Sequence, residues 1–114
     1  MSDCIFCKIA AGEIPAEVVY QDDQVVAFKD LNPQAPVHVL VIPRRHIATT
    51  NDLTEADAEL AGRLVLAAKQ VAQEMGIAEE GYRTVLNCNA AAGQTVFHIH
   101  LHLLGGRPMG WPPG

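Results

Sequence analysis

The stretch His98-Ile99-His100-Leu101-His102-Leu103-Leu104 alternates histidine with an apolar residue. Side chains of an extended chain alternate between faces, so this spacing places His98, His100 and His102 on one face and Ile99, Leu101 and Leu103 on the other. The apolar face can enter a core while the opposite face presents imidazoles. Imidazole titrates near neutral pH, acts as a nucleophile and ligates metals. Three of the chain's five histidines stand in this run. His-x-His on a strand also builds metal sites. The motif alone therefore leaves nucleophilic catalysis and metal ligation both open. Packing three histidines together in a core would require a polar partner for each.

Outward from that run, the spacing predicts a strand over 95–104 and another over 82–87. Val37–Ile42 is a β-branched run stopped by Pro43, the pattern of a buried strand. Residues 17–20 and 25–28 are short apolar runs divided by Gln21-Asp22-Asp23-Gln24 and predict a hairpin. A short helix is expected over 6–11, ending at Gly12. The long helix is predicted over 54–75. Thr54 with Asp57 resembles a capping box, Leu60, Leu64, Ala68, Val71 and Met75 form a buried stripe, and Gly76 is a stop. Strands that neighbour in sequence, with one intervening helix, indicate an α+β fold with an antiparallel sheet.

At 114 residues the chain is expected to form one domain, 1–114. Its formal charge of −5 argues against a nucleic-acid partner held by phosphate contacts. Arg44-Arg45 is read as a solvated surface turn. The N-terminus lacks a basic flank followed by an apolar stretch, and no run approaches the roughly 20 apolar residues of a membrane span. A cytoplasmic protein without a membrane partner is expected. Three cysteines, an odd count, argue against a disulfide framework. Cys4-x-x-Cys7 suggests zinc or redox chemistry, and zinc would need two further ligands.

Together with the histidine run, Cys4-Ile5-Phe6-Cys7-Lys8-Ile9, Gly12-Glu13-Ile14-Pro15, Asp30-Leu31-Asn32-Pro33-Gln34-Ala35-Pro36-Val37-His38 and Gly105-Gly106-Arg107-Pro108-Met109-Gly110-Trp111-Pro112-Pro113-Gly114 resemble the Hint branch of the histidine-triad hydrolases over almost the whole chain. The resemblance implies a HIT-like fold: a five-stranded antiparallel sheet with one long and one short helix, two sheets joining across a homodimer. It implies that His100 attacks the α-phosphate of a purine nucleotide to give a nucleotidyl-histidine, which water hydrolyses. His102 would contact the phosphate and help proton transfer, His98 would orient the nucleophile, and His38 would support the site.

For the nucleotide, the resemblance points to Gly93, Gln94, Thr95, Val96 and Asn87 on the phosphate side and to Asp30 on the ribose hydroxyls. Ile5, Phe6, Phe28 and Leu31 would sandwich the base, and Trp111 would act on the partner subunit's site. Ala90-Ala91-Ala92 departs from the family pattern, which often has glycine at position 92. Some members complete a zinc site with residues matching His46 and His98, so Cys4, Cys7, His46 and His98 form a candidate structural zinc set. The chemistry itself requires no cofactor. The activity implied is hydrolysis of purine nucleoside 5′-phosphoramidates, such as AMP joined to lysine or another amine. Dinucleoside polyphosphate hydrolysis and a nucleotide- or zinc-dependent regulatory role are the alternatives.

Overall fold

The computed structural model describes residues 3–114. Its elements in chain order are α1 (Ile5–Ala10), β1 (Val18–Gln21), β2 (Val25–Lys29), β3 (Val37–Pro43), α2 (Ala58–Glu74), β4 (Tyr82–Leu86) and β5 (Leu101–Gly105). The five strands form one antiparallel sheet in the order β1-β2-β3-β5-β4. The α+β architecture matches the expectation from the sequence.

Both faces of the sheet centre are covered, which explains why β2 and β3 read as continuous apolar runs rather than alternating ones. Val25, Ala27, Val39, Val41, Ile99, Leu101 and Leu103 pack with Leu64, Ala68 and Val71 of α2. Val26, Phe28, Leu40 and Ile42 face the other way, onto Phe6 of α1. The predicted helix stripe is the one that packs, with Leu60 and Met75 at its half-buried ends. The predicted capping box is present: the Asp57 carboxylate accepts from the Thr54 N–H and hydroxyl. Its first turn is a 3₁₀ turn, Glu55–Asp57, so the regular helix begins only at Ala58.

Two expectations fail here. Residues 95–100 are not strand. β5 begins at Leu101, because β3 pairs with it only from Val41↔Leu101 to Val37↔Gly105. His98 and His100 therefore sit on an irregular segment whose Ile99 N–H is held by the Ile47 carbonyl at 2.8 Å. Alternation of faces survives without ladder pairing. Of Arg44-Arg45, only Arg45 is exposed as expected; Arg44 is half-buried and bonded on all sides. The Arg44 guanidinium donates to the Asp22 carbonyl, the Ala10 carbonyl and Gln21 Oε1, which ties the end of α1 to the β1–β2 hairpin. Arg45 pairs with the half-capping Asp57.

Candidate active site

A cavity of about 290 Å³ opens between α1 and the sheet, at the small end of the range of small-molecule sites. Ile5, Phe6, Phe28, Asp30, Leu31, Thr95, Val96, His100 and His102 all line it. The apolar wall is anchored by an edge-on Phe6–Phe28 pair at 5.5 Å, and Phe6 also packs edge-on against His100 at 5.1 Å. Ile9, Ile14, Pro15, Ala16, Lys29 and Leu40 complete the lining and were not anticipated. The Gly-Glu-Ile-Pro segment carried a signal for Ile14 and Pro15. Lys29 carried none, and it is paired with Glu17 at 2.9 Å.

The hydrogen bonds define the protonation of each ring, because a carbonyl oxygen only accepts and a peptide N–H only donates. His100 Nδ1 donates to the His98 carbonyl at 2.8 Å, which leaves a lone pair on Nε2. His38 Nδ1 accepts the Gln34 N–H at 3.0 Å, so its proton is on Nε2. That nitrogen lies 3.0 Å from His102 Nδ1 and 3.4 Å from Asp30 Oδ2. His102 therefore accepts at Nδ1 and keeps its own proton on Nε2. Burial, then the neighbouring His100 and His38 rings, pull the His102 pKa down to about 4 against the opposing pull of Asp30. Burial likewise lowers His38, again opposed by Asp30. Both rings are neutral at physiological pH.

His98 is fully buried and faces a different set of groups. Its Nε2 donates to the Pro43 carbonyl at 2.7 Å, so Nδ1 is bare. Around that nitrogen stand Cys4 Sγ at 3.4 Å, Cys7 Sγ at 3.5 Å and His46 Nδ1 at 3.2 Å, with His46 Nδ1 3.4 Å from Cys7 Sγ. All four donor atoms lie within 4.8 Å of one another. A tetrahedral ion with Zn–N of about 2.0–2.1 Å and Zn–S of about 2.3 Å has edges of roughly 3.3–3.8 Å, so the set fits. Burial and the adjacent Cys4 sulfur raise the Cys7 thiol pKa, the mutual hindrance that a shared cation would relieve.

Other anticipated residues fall outside the cavity lining. Asn87 is half-buried just beyond β4, and Gly93 is exposed in a left-handed turn with φ of 94°. Gln94 is not available to a phosphate. Its Oε1 accepts the Asn89 N–H at 2.7 Å, and its Nε2 donates to the carbonyls of Ala48 and Val96. It is a buried clamp on the loop that carries Thr95. Trp111 is 83% exposed, its face within reach of the Arg83 guanidinium rather than of the cavity.

A sheet-backed cavity with a bare imidazole nitrogen beside a protonated one has the groups that acyl or phosphoryl transfer by a nucleophilic histidine requires. Residues 11–109 match the HIT domain. The chain is 51% identical to the purine nucleoside phosphoramidase of Escherichia coli strain K12, over 95% of this chain and 91% of that one. It is 55% identical to an uncharacterised HIT-like protein of Synechocystis, covering 98% and 97% of the two chains. A HIT family hydrolase from Legionella pneumophila superposes with a TM-score of 0.96 at 58% identity, covering 97% of this chain and 99% of that one. The chain belongs to the HIT family.

Proposed function

We propose that this protein is a hydrolase of purine nucleoside 5′-phosphoramidates acting through a nucleotidyl-histidine. The carrying observation is the fixed proton on His100 Nδ1, which leaves Nε2 as an unprotonated nucleophile in the lined cavity. Close similarity to a named purine nucleoside phosphoramidase supports the P–N bond as the one cleaved.

In this reading the base lies against Ile5, Phe6, Phe28 and Leu31, and Asp30 accepts from the ribose hydroxyls. Asp30 Oδ1 already takes the Asn32 N–H at 2.8 Å, which orients the carboxylate for that task. Thr95 offers its hydroxyl to the phosphoryl oxygens. His100 Nε2 bonds to phosphorus as the P–N bond breaks, and the departing nitrogen takes the proton on His102 Nε2. The His100 ring becomes cationic, 5.0 Å from the ring that has given up a proton, and offsets it. Water then attacks phosphorus, returns a proton to His102 and releases His100 neutral, so the cycle closes on AMP and a free amine. No cofactor enters these steps.

Cys4, Cys7, His46 and His98 would hold zinc in a structural role, pinning the six-residue α1, and with it Ile5 and Phe6, to the histidine segment. The chain is read as one domain over 1–114, working as a homodimer in which Trp111 reaches the partner's site. The solvent-facing edge of β4 and the exposure of Trp111 support this. Among the described residues no helix is long and apolar enough to cross a membrane. A cytoplasmic location fits two reduced ligand cysteines.

The test is AMP release from adenosine 5′-phosphoramidate by the wild-type protein and by His100→Ala. Turnover abolished in the variant, with zinc content and melting temperature retained, is expected. A wild-type protein without turnover, or a variant that retains it, overturns the reading.

A further inference from the structure

The Gly105-Gly106-Arg107 turn lies outside the cavity, yet it is bonded to the loop that sets the site's protons. Arg107 Nε and Nη2 both donate to the Gln34 carbonyl, at 3.2 and 3.0 Å, and Nη1 donates to the Pro108 carbonyl at 3.0 Å. The same residue, Gln34, gives its N–H to His38 Nδ1 at 3.0 Å. The close approach depends on Gly106. Its φ is +89°, and a Cβ there would stand 2.8 Å from Cβ of Pro36, a rigid ring that cannot swing aside. At Gly105 a Cβ would meet the flexible tip of Ile77, a lesser obstacle.

We propose that Arg107 is a positioning residue: by clamping the Gln34 carbonyl it aims the Gln34 N–H at His38 and so decides which nitrogen of His102 faces the substrate with a proton. The chemistry follows from the two neutral tautomers of His38. With Nδ1 accepting from Gln34, Nε2–H donates to His102 Nδ1, and His102 offers Nε2–H to the leaving group. With the Gln34 N–H displaced, only Asp30, 3.4 Å from Nε2, still favours the Nε2–H tautomer, and part of the His38 population places its proton on Nδ1. His38 Nε2 then accepts from His102 Nδ1–H, and the nitrogen of His102 that faces the cavity is bare. The site would keep its nucleophile and lose its acid. The donor is a backbone group, so it is varied through the contacts that fix the neighbouring Gln34 carbonyl across the shared Cα.

For its kinetic consequence the proposal rests on the phosphoramidase reading. The ring tautomers are testable without substrate. In ¹⁵N spectra of the histidine rings of the whole protein, His38 is expected as the Nε2–H tautomer in the wild type and as a mixture in Arg107→Met. Kinetically, Arg107→Met should lower kcat on adenosine 5′-phosphoramidate about tenfold, the scale of losing an orienting partner, with KM within about twofold. On the p-nitrophenyl ester of AMP, whose leaving group departs without a proton, the loss should be under about twofold. Arg107→Lys, keeping one donor, should recover part of the amine-substrate rate, and Gly106→Ala should reproduce the Arg107→Met pattern.

Equal losses on both substrates would reduce Arg107 to a general structural contact and overturn the proposal. So would a wild-type His38 carrying its proton on Nδ1, a measurement that stands even if all three variants fail to fold. A wild-type protein that cleaves neither substrate while showing the expected tautomer would instead sink the phosphoramidase reading.

Discussion

Two clusters in this small protein each pair two histidines with further potential metal-binding groups, two thiols in one and a carboxylate in the other, and their wiring is opposite. Cys4, Cys7, His46 and His98 bring four donor atoms within 4.8 Å, and Asp30, His38 and His102 bring three within the same limit. In the first, the remote nitrogen of His98 donates to a carbonyl, so the inward nitrogen is bare and ready for a cation. In the second, the remote nitrogen of His38 accepts from a peptide N–H, so the inward nitrogen carries a hydrogen and repels one. Donor count and spacing do not separate a metal site from a proton-handling site. The hydrogen bond on the far side of each ring does.

The sharpest way to break that contrast is to disable one cluster and read the other. His102→Ala should cut kcat on the phosphoramidate by about 10²–10⁴, the range for a lost general acid, with zinc content unchanged. Cys4→Ser should do the reverse. It should lose zinc and lower the melting temperature by about 10 °C, corresponding to roughly 3 kcal/mol in a domain of this size. Its activity should fall mainly through KM as α1 loosens from the nucleotide cavity. Titration of the metal-free protein with Zn²⁺ should reach one equivalent per chain. A second tight equivalent lost in His38→Ala would show that the Gln34 hydrogen bond does not protect the Asp30–His38–His102 cluster.

A smaller effect separates the clusters by pH. His102 has a folded pKa of about 4 against an ordinary value of 6.5. Between those values the unfolded chain binds the extra proton and the folded one does not, so stability falls as pH drops from 6.5 toward 4 and levels below it. His100, His38 and Asp30 face this ring, and water screening at a half-buried group holds the loss to about 2 kcal/mol. Melting temperature against pH should show the decline in the wild type and a shallower one in His102→Ala. Smallest of all, Gln94→Ala should cost about 1–2 kcal/mol by leaving the Asn89 N–H and the Ala48 and Val96 carbonyls without their partner. It should leave both zinc content and ring tautomers intact.

Much of this was legible in the chain. The alternation from His98 to Leu104 gave the two faces, and the apolar runs of β2 and β3 gave a centre buried on both sides. The Cys-x-x-Cys pair pointed to a cluster, and the family resemblance added His46 and His98, which the fold does bring together with it. Three things were not legible, each for a physical reason. Strand pairing of β5 begins at Leu101 because pairing depends on where β3 ends, not on the alternation of 98–100. Gln94 sits among phosphate-side candidates, but its amide is consumed by three backbone groups, one 46 residues away in sequence. The tautomers of His38, His98 and His100 are set by the backbone of Gln34, Pro43 and His98, groups every residue possesses and no side-chain pattern encodes.

The strand order carries a consequence for synthesis on the ribosome. β5 is made after every other strand described, yet it lies between β3 and β4 and pairs with both. A nascent chain can close the β1-β2-β3 meander from local contacts. It must hold β3 and β4 with their inner edges unpaired until residues 98–105 leave the exit tunnel. The proposed nucleophile, His100, therefore arrives with the segment that seals the sheet, and no shorter intermediate holds both an assembled centre and His100. During that interval the exposed edges of β3 and β4 are the surfaces on which a chaperone, or another nascent copy, would act.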